Sequence, residues 1–326
     1  MSTKMLNIIK SLYSNNIARV WDGETVSEWF PTETGVKQGC LLSPLLFAIF
    51  LDDLVTFLPN GISCFGNEIK VLMYADDIVI LADTPNKLQN MIEKLAEYCK
   101  TWGLTININK TKVLVFRQSK GRYCRNEKWF MNGQEVEKVR YYKYLGVIFA
   151  HDCTFHKHLN EKLKAAKTAI NSTWKTFLGK KYIAHSVKFK LFEAAVRTIM
   201  GYASEVWGLE RFEVVEKLLR YFIKRLFRLP QNTPNYMIYL ETGLSELHIY
   251  FLKTHFNYMK RVMSMGSERL PKKIAQSLLE TKSQCFQKWD ILANNHHVHF
   301  NINETSLWEH WQRQILQAID ITVRQI

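Results

Sequence analysis

Apolar residues fall on one helical face over residues 3–15, where Met5, Ile8, Ile9 and Leu12 recur at helical spacing. Residues 17–30 read as a hairpin about Asp22-Gly23. Ser43 and Pro44 suit the N-cap and first position of an apolar helix running to about Leu58. Two short apolar, β-branched runs, 69–73 and 78–82, predict buried strands joined by a tight turn. Thr84 and Pro85 then open a helix with Leu88, Met91, Ile92, Leu95, Tyr98 and Trp102 inward, closed by Gly103. A strand is expected over 112–117, a basic loop with Lys120, Arg122 and Arg125 over 118–126, and a hairpin about Asn132-Gly133. A further strand over 141–149 carries a Leu145-Gly146 turn. Residues 1–150 therefore mix helices with an antiparallel sheet.

From Phe155 the pattern turns helical. Leu159, Leu163, Ala166, Ile170, Trp174 and Phe177 share one face and lysines take the other. Helices are expected over 186–206, 212–229, 245–265, 270–289 and 305–319, with Pro230 and Pro234 breaking the run. Trp289, Trp308 and Trp311 read as core rather than as base-stacking platforms. Arg220, Lys224, Arg225 and Arg228 form a basic stripe at near-helical spacing; phosphate contact and a solvated face both explain it. The fold class is thus α+β, followed by an all-α region.

Charge sharpens this picture. The 326 residues carry a net charge of +14. Residues 1–150 hold 18 basic and 15 acidic residues, whereas residues 151–326 hold 26 and 15. The excess lies in the helical half, pointing to an anionic partner such as nucleic acid, although surplus lysine also serves solubility. Six cysteines form no Cys-x-x-Cys pair, and nothing in their spacing suggests a disulfide framework or zinc knuckle. No apolar run is long enough to span a bilayer, and the first residues hold no apolar signal core. His296, His297 and His299 lack cysteines at finger spacing and sit beside Asn294-Asn295, so a loop is expected there.

The candidate chemistry sits at Tyr74-Ala75-Asp76-Asp77, between the two apolar strands. Two neighbouring carboxylates repel, and a cation between them relieves that repulsion. Oxygen ligands at such a tip suit Mg²⁺, hence phosphoryl or nucleotidyl transfer, while a merely solvated turn also fits these four residues. Three more motifs surround them in order. Gly35 and Gly39 bracket Gln38 and allow a close backbone approach; Asn107-x-x-Lys110 follows; Tyr144-Leu145-Gly146 comes last.

In this order and at these separations the motifs resemble the reverse transcriptase of non-LTR (LINE-type) retrotransposons. The resemblance runs from about residue 5 to residue 262. It includes Tyr202-Ala203-Ser204-Glu205-Val206-Trp207-Gly208, similar to the family's Tyr-Gly-x-Glu-x-Trp segment, and Thr233-Pro234-Asn235-Tyr236. It implies a right-hand polymerase: a partial palm over 1–150, a helical thumb over 151–265, and a helical extension over 266–326. It implies an RNA-directed DNA polymerase acting on an RNA template, a DNA primer and deoxynucleoside triphosphates. Two Mg²⁺ ions, or Mn²⁺, would be held by Asp76 and Asp77. Gln38, Gly39, Asn107 and Lys110 would bind nucleotide and template. Tyr144, Leu145 and Gly146 would grip the primer, and Arg220, Lys224, Arg225 and Arg228 would contact the phosphate backbone. A nuclear location is implied, with a cytoplasmic ribonucleoprotein as the alternative.

One departure changes the expectation. The family uses a third aspartate on a strand that falls before Met1, and Asp22, followed by Gly23 in a turn, lies in the wrong place to replace it. The fingers and an endonuclease are missing with that strand. The chain is therefore expected to polymerise poorly alone, with a non-catalytic, nucleic-acid-binding remnant as the alternative. Loss of a strand beside Asp76-Asp77 should also leave an unpaired sheet edge and an uncovered apolar face.

Overall fold

In the computed structural model, residues 2–64, 66–117, 127–281, 283–298 and 308–325 are described. The basic loop at 118–126 and His299 lie outside them, as do the start of the last predicted helix and the side chain of Trp308. No helix among the described residues is long and apolar enough to cross a membrane. The chain divides into two compact units, Met1–Thr111 with Glu127–Val136, and Lys112–Asn126 with Glu137–Ile326.

The first unit begins with α1 (Thr3–Tyr13), capped by the Ser2 hydroxyl, which accepts from the Met5 amide at 3.3 Å. Strands β1 (Ile17–Ala18) and β2 (Phe30–Pro31) form the expected hairpin. Its Asp22 turn is held by amides of Glu24 and Thr25, which keep that carboxyl below its ordinary range. The predicted helix from Ser43 to Leu58 is two pieces, α2 (Ser43–Phe50) and α3 (Leu54–Phe57). The interruption presents Asp53 to the Tyr98 hydroxyl at 2.5 Å. Ser43 is not the N-cap; Leu42 is, because the Ser43 hydroxyl is committed to the Lys37 carbonyl at 2.6 Å. Then come β3 (Ile62–Cys64) with β4 (Asn67–Ile69), and β5 (Val71–Tyr74) with β6 (Asp77–Ile80), both antiparallel.

Helix α4 (Pro85–Thr101) is capped by Thr84, as its sequence predicts. It buries Met91, Ile92, Leu95 and Tyr98 against α3 and β8 (Trp129–Met131). Each such large apolar side chain contributes about 1.5–3 kcal/mol. Gln89 extends the contact: its side chain accepts from the Phe130 amide and donates to the Phe130 carbonyl, both at 2.9 Å. Trp102, expected inward, is 43% exposed and meets only the edge of Phe50 among its ring contacts besides Tyr98.

The second unit opens with β7 (Val113–Leu114); β9 (Gln134–Val136), which pairs with β8, closes the first. Asn132 and Gly133 both have positive φ in the β8–β9 turn, as a two-residue primed turn requires. Strand β7 pairs in parallel with β10 (Lys138–Val139). Residues 141–149 are not one strand but a hairpin, β11 (Tyr141–Tyr144) and β12 (Val147–Ala150). The described strands thus form six two-stranded ribbons rather than the single antiparallel sheet expected.

Ten helices follow among the described residues: α5 (His156–Thr173), α6 (His185–Leu191), α7 (Thr198–Met200), α8 (Ser204–Trp207), α9 (Glu213–Leu226), α10 (Asn235–Thr242), α11 (Leu247–Met263), α12 (Leu270–Glu280), α13 (Gln284–Asn295) and α14 (Trp308–Gln325). Single π-turns, Trp174–Leu178 and Phe192–Arg197, interrupt what periodicity alone reads as continuous helix. The predicted 270–289 helix is likewise two, α12 and α13. One core joins α5, α9 and α11 through Ile170, Phe192, Phe222 and Phe251, with Phe192 stacked on Phe222 at 4.4 Å. A second holds Trp289 against Trp311, with Phe256 at the edge of both, so these two tryptophans are core as predicted.

Glu216 of α9 lies fully buried between these helices. It accepts from the Leu247 and His248 amides at the start of α11, at 3.2 and 2.8 Å, and from the Tyr239 hydroxyl of α10 at 3.0 Å. Burial, and then the nearby Glu246 carboxylate, push its carboxyl up to about 7 despite these donors. An acid raised in the folded state stabilises fully below its unfolded value, near 4.5, and loses that stability as pH rises through about 7. Glu216→Gln, which cannot ionise, therefore destabilises less at pH 8 than at pH 5, with a difference of at most about 3 kcal/mol. Thermal unfolding of both proteins at the two pH values measures it; an equal penalty at both refutes the assignment.

Candidate nucleotidyl-transfer site

The hairpin forms about the tip as its sequence implies, but its strands are not the buried ones expected: no residue of β5 or β6 is buried, and Ile69 ends β4 instead. Val71 pairs with Ile80, Leu72 with Val79, Met73 with Ile78 and Tyr74 with Asp77, leaving Ala75 and Asp76 as the turn. Ala75 takes φ of +52°, a conformation that costs a non-glycine residue about 1–2 kcal/mol. Both carboxylates are exposed. Among the described residues, no group of three or more His, Cys, Asp or Glu gathers to hold a metal, so this tip offers a pair of acids. Its oxygen donors suit a hard divalent cation. The ribbon has no third strand among the described residues, and Leu72 and Met73 lie exposed on it. Trp21 and Ile49 are exposed too, and Leu41 almost wholly so.

Gln38 and Gly39 lie in an exposed loop that Ser43 ties down. The Ser43 hydroxyl donates to Lys37, and the Tyr13 hydroxyl lies 3.1 Å from Ser43 Oγ, linking loop, α1 and α2. Gly35 and Gly39 both have positive φ, so the backbone favours glycine there, while a Cβ at either position would meet open space. Asn107 acts on Lys110 directly: its side-chain oxygen and its carbonyl both accept from the Lys110 amide, at 3.2 and 3.1 Å. The motif's spacing is thus that of a turn that sets the lysine backbone in place.

Tyr144, Leu145 and Gly146 belong to the second unit. Leu145 and Gly146 form the β11–β12 turn with φ of +46° and +76°. The Tyr202 hydroxyl donates to the Leu145 carbonyl at 2.7 Å. A partner 57 residues away was not legible from spacing, although the Tyr202–Gly208 segment was itself a sequence signal. Ala203, standing where the resembled segment has glycine, takes φ of +60°.

The basic residues of α9 do not form a stripe open to solvent. Arg220 is buried in an ion pair with Glu213. Lys224 donates to the carbonyls of Gln231 and Thr233, at 2.6 and 2.9 Å. Arg225 lies over the Trp174 ring at 4.0 Å and bonds Asn171 and Tyr221. Arg228 is exposed just past the helix. The structure therefore brings together Asp76 with Asp77, Asn107 with Lys110, and the Leu145–Gly146 turn with Tyr202.

Comparison with known proteins gives the chain's likeness. The family described as reverse transcriptase (RNA-dependent DNA polymerase) matches residues 1–149. Similar proteins include the RNA-directed DNA polymerase from mobile element jockey of Drosophila funebris, 27% identical over 73% of this chain and 26% of that protein. The Pol polyprotein of type-2 retrotransposable element R2DM of Drosophila melanogaster is 23% identical over 92% of this chain and 28% of its own length. That of type-1 element R2 of Nasonia vitripennis is 29% identical over 45% of this chain and 15% of its own. The chain spans about a quarter of the length of the first two relatives. Residues 1–149 thus match the reverse-transcriptase family. The chain is a partial reverse-transcriptase-like sequence related to the polymerases of non-LTR retrotransposons, and the R2DM likeness carries on through its helical half.

Gly146→Ala meets two obstacles at once. Its φ disfavours a side chain, and the new Cβ would stand 2.9 Å from ring carbon and hydroxyl of Tyr202. A loss of about 1–3 kcal/mol is expected in urea unfolding. Wild-type stability in that variant refutes the clamped turn.

Proposed function

We propose that this chain contributes the palm, over residues 1–150, and the helical thumb, over residues 151–265, of an RNA-directed DNA polymerase. Residues 266–326 would form a helical extension. The observation that carries the reading is the strained hairpin that exposes the Asp76 and Asp77 carboxylates at its tip. Asp76 and Asp77 would hold two Mg²⁺ ions, or Mn²⁺, which when bound activate the primer hydroxyl and offset charge at the leaving pyrophosphate. In that reaction the primer O3′ forms a bond to the α-phosphorus and pyrophosphate leaves.

The chain's own residues bind and orient around this point. Lys110, its backbone set by Asn107, offsets the triphosphate charge. Gln38 orients the incoming nucleotide or template base, and Gly39 permits the approach. The turn of Tyr144, Leu145 and Gly146 sets the primer end. Arg228 is the best placed of the four α9-region cations to meet backbone phosphate, because Arg220, Lys224 and Arg225 already hold protein partners.

A second reading has its own observation. With only two acids at the tip and no third among the described residues, the chain can grip a template–primer duplex without extending it. Primer extension on an RNA template with Mg²⁺ or Mn²⁺, with Asp76→Ala as control, separates the two. Extension that Asp76→Ala abolishes, by 100-fold or more, establishes the polymerase reading. Duplex binding without extension establishes the second; folded protein that neither binds nor extends overturns both.

A further inference from the structure

The β11–β12 turn is held more tightly than a surface hairpin needs. Three left-handed residues, Leu145, Gly146 and Ala203, meet at this junction. Leu145 and Tyr202 are both at least 40% exposed, so no apolar core calls for the arrangement. Tyr202 is fixed at both ends. Its hydroxyl donates to the Leu145 carbonyl at 2.7 Å. Its own carbonyl accepts from Trp207 Nε1 at 3.0 Å and meets His158 Nε2 at 3.2 Å. The other nitrogen of His158 accepts from the Ile148 amide at 3.3 Å, which ties β12 to the same point. His158 is fully buried, and burial holds it neutral, with its pKa below the ordinary value, as these two bonds require.

A cation completes the junction. The Lys162 ammonium of α5 lies 4.1 Å over the Tyr202 ring. Among the described residues, neither Lys162 nor Lys143 of β11 has a carboxylate partner. Partial burial and the like charge of Lys143 lower the Lys162 pKa, so an anion arriving here relieves an existing repulsion.

Resting on the polymerase reading above, we propose that Tyr202 is a positioning residue for the Leu145–Gly146 turn, and that Lys162, seated on its ring, binds a phosphodiester of the nucleic-acid strand that this turn meets. The strand lies along the turn, and the tyrosine sets both the turn backbone and the lysine in one step. Sequence-independent binding follows, because a phosphate contact carries no base information.

The test uses the full chain and a labelled RNA–DNA hybrid with a recessed DNA 3′ end. Lys162→Gln is expected to weaken binding about three- to tenfold and to lower the salt slope by about 0.9, the value for one phosphate contact. Lys162→Arg restores both. Tyr202→Phe keeps the ring but frees the turn, so amide exchange at Gly146 and Val147 quickens at least tenfold and hybrid affinity falls with it. Wild-type binding left unchanged in strength and salt slope by Lys162→Gln overturns the phosphate contact while leaving the polymerase reading intact. Unchanged exchange in Tyr202→Phe overturns the positioning role whatever the chain binds. A wild-type chain that binds no hybrid overturns the contact and the polymerase reading together.

Discussion

The helical unit depends on one buried carboxylate. Glu216 reaches from α9 to the open amides of α11 and to Tyr239 of α10, so three helices meet on a single side chain. A helix start leaves its first amides without intrahelical partners, and burying them without acceptors costs about 1–3 kcal/mol each. Glu216 meets that cost where no local cap is present, since Glu246 at the N-cap position makes no capping bond. Glu246 instead binds Arg211 through both carboxylate oxygens, at 2.5 and 2.8 Å. The apolar contacts of Phe192, Phe222 and Phe251 then close around a polar centre already satisfied.

The first unit is organised the other way round. Its core is small, built on α4, α3 and β8, and many apolar side chains remain at its surface. Its candidate chemistry sits at the edges of that core: at a hairpin tip, in a loop held by Ser43, and in a turn set by Asn107. Groups placed there can meet a large substrate. The exposed Leu72 and Met73 beside the acids make this same region a surface on which further chain can pack.

Left-handed backbone recurs at several of the candidate site residues. Ala75 at the acidic tip, Leu145 and Gly146 at the β11–β12 turn, and Ala203 beside Tyr202 all take left-handed conformations. At the second and third of these, specific bonds from Tyr202 hold the strain in place. No comparable holding bond was needed at Asn132-Gly133, where residues suited to a primed turn adopt it at little cost.

Local chemistry by itself determined much of this protein. Asp22-Gly23, Asn132-Gly133 and Thr84-Pro85 each specify their own backbone within a few residues and are found where their residues imply; the runs about Asp76-Asp77 pair as a hairpin, but none of its residues is buried as expected. The motif order likewise sufficed to indicate the reverse-transcriptase family. What tertiary structure decided was every feature that depends on a distant partner. Ser43 left its cap because Lys37 claimed its hydroxyl, and the helix after it broke where Asp53 meets Tyr98. Arg220 spaces like a phosphate ligand, yet it is buried with Glu213, since periodicity reports a helical face and not what covers it. Tyr202 and Leu145 stand far apart in the chain, and the packing of α5 against both β12 and α7 brings hydroxyl and carbonyl together, because a hydrogen bond is decided by distance in space rather than along the sequence.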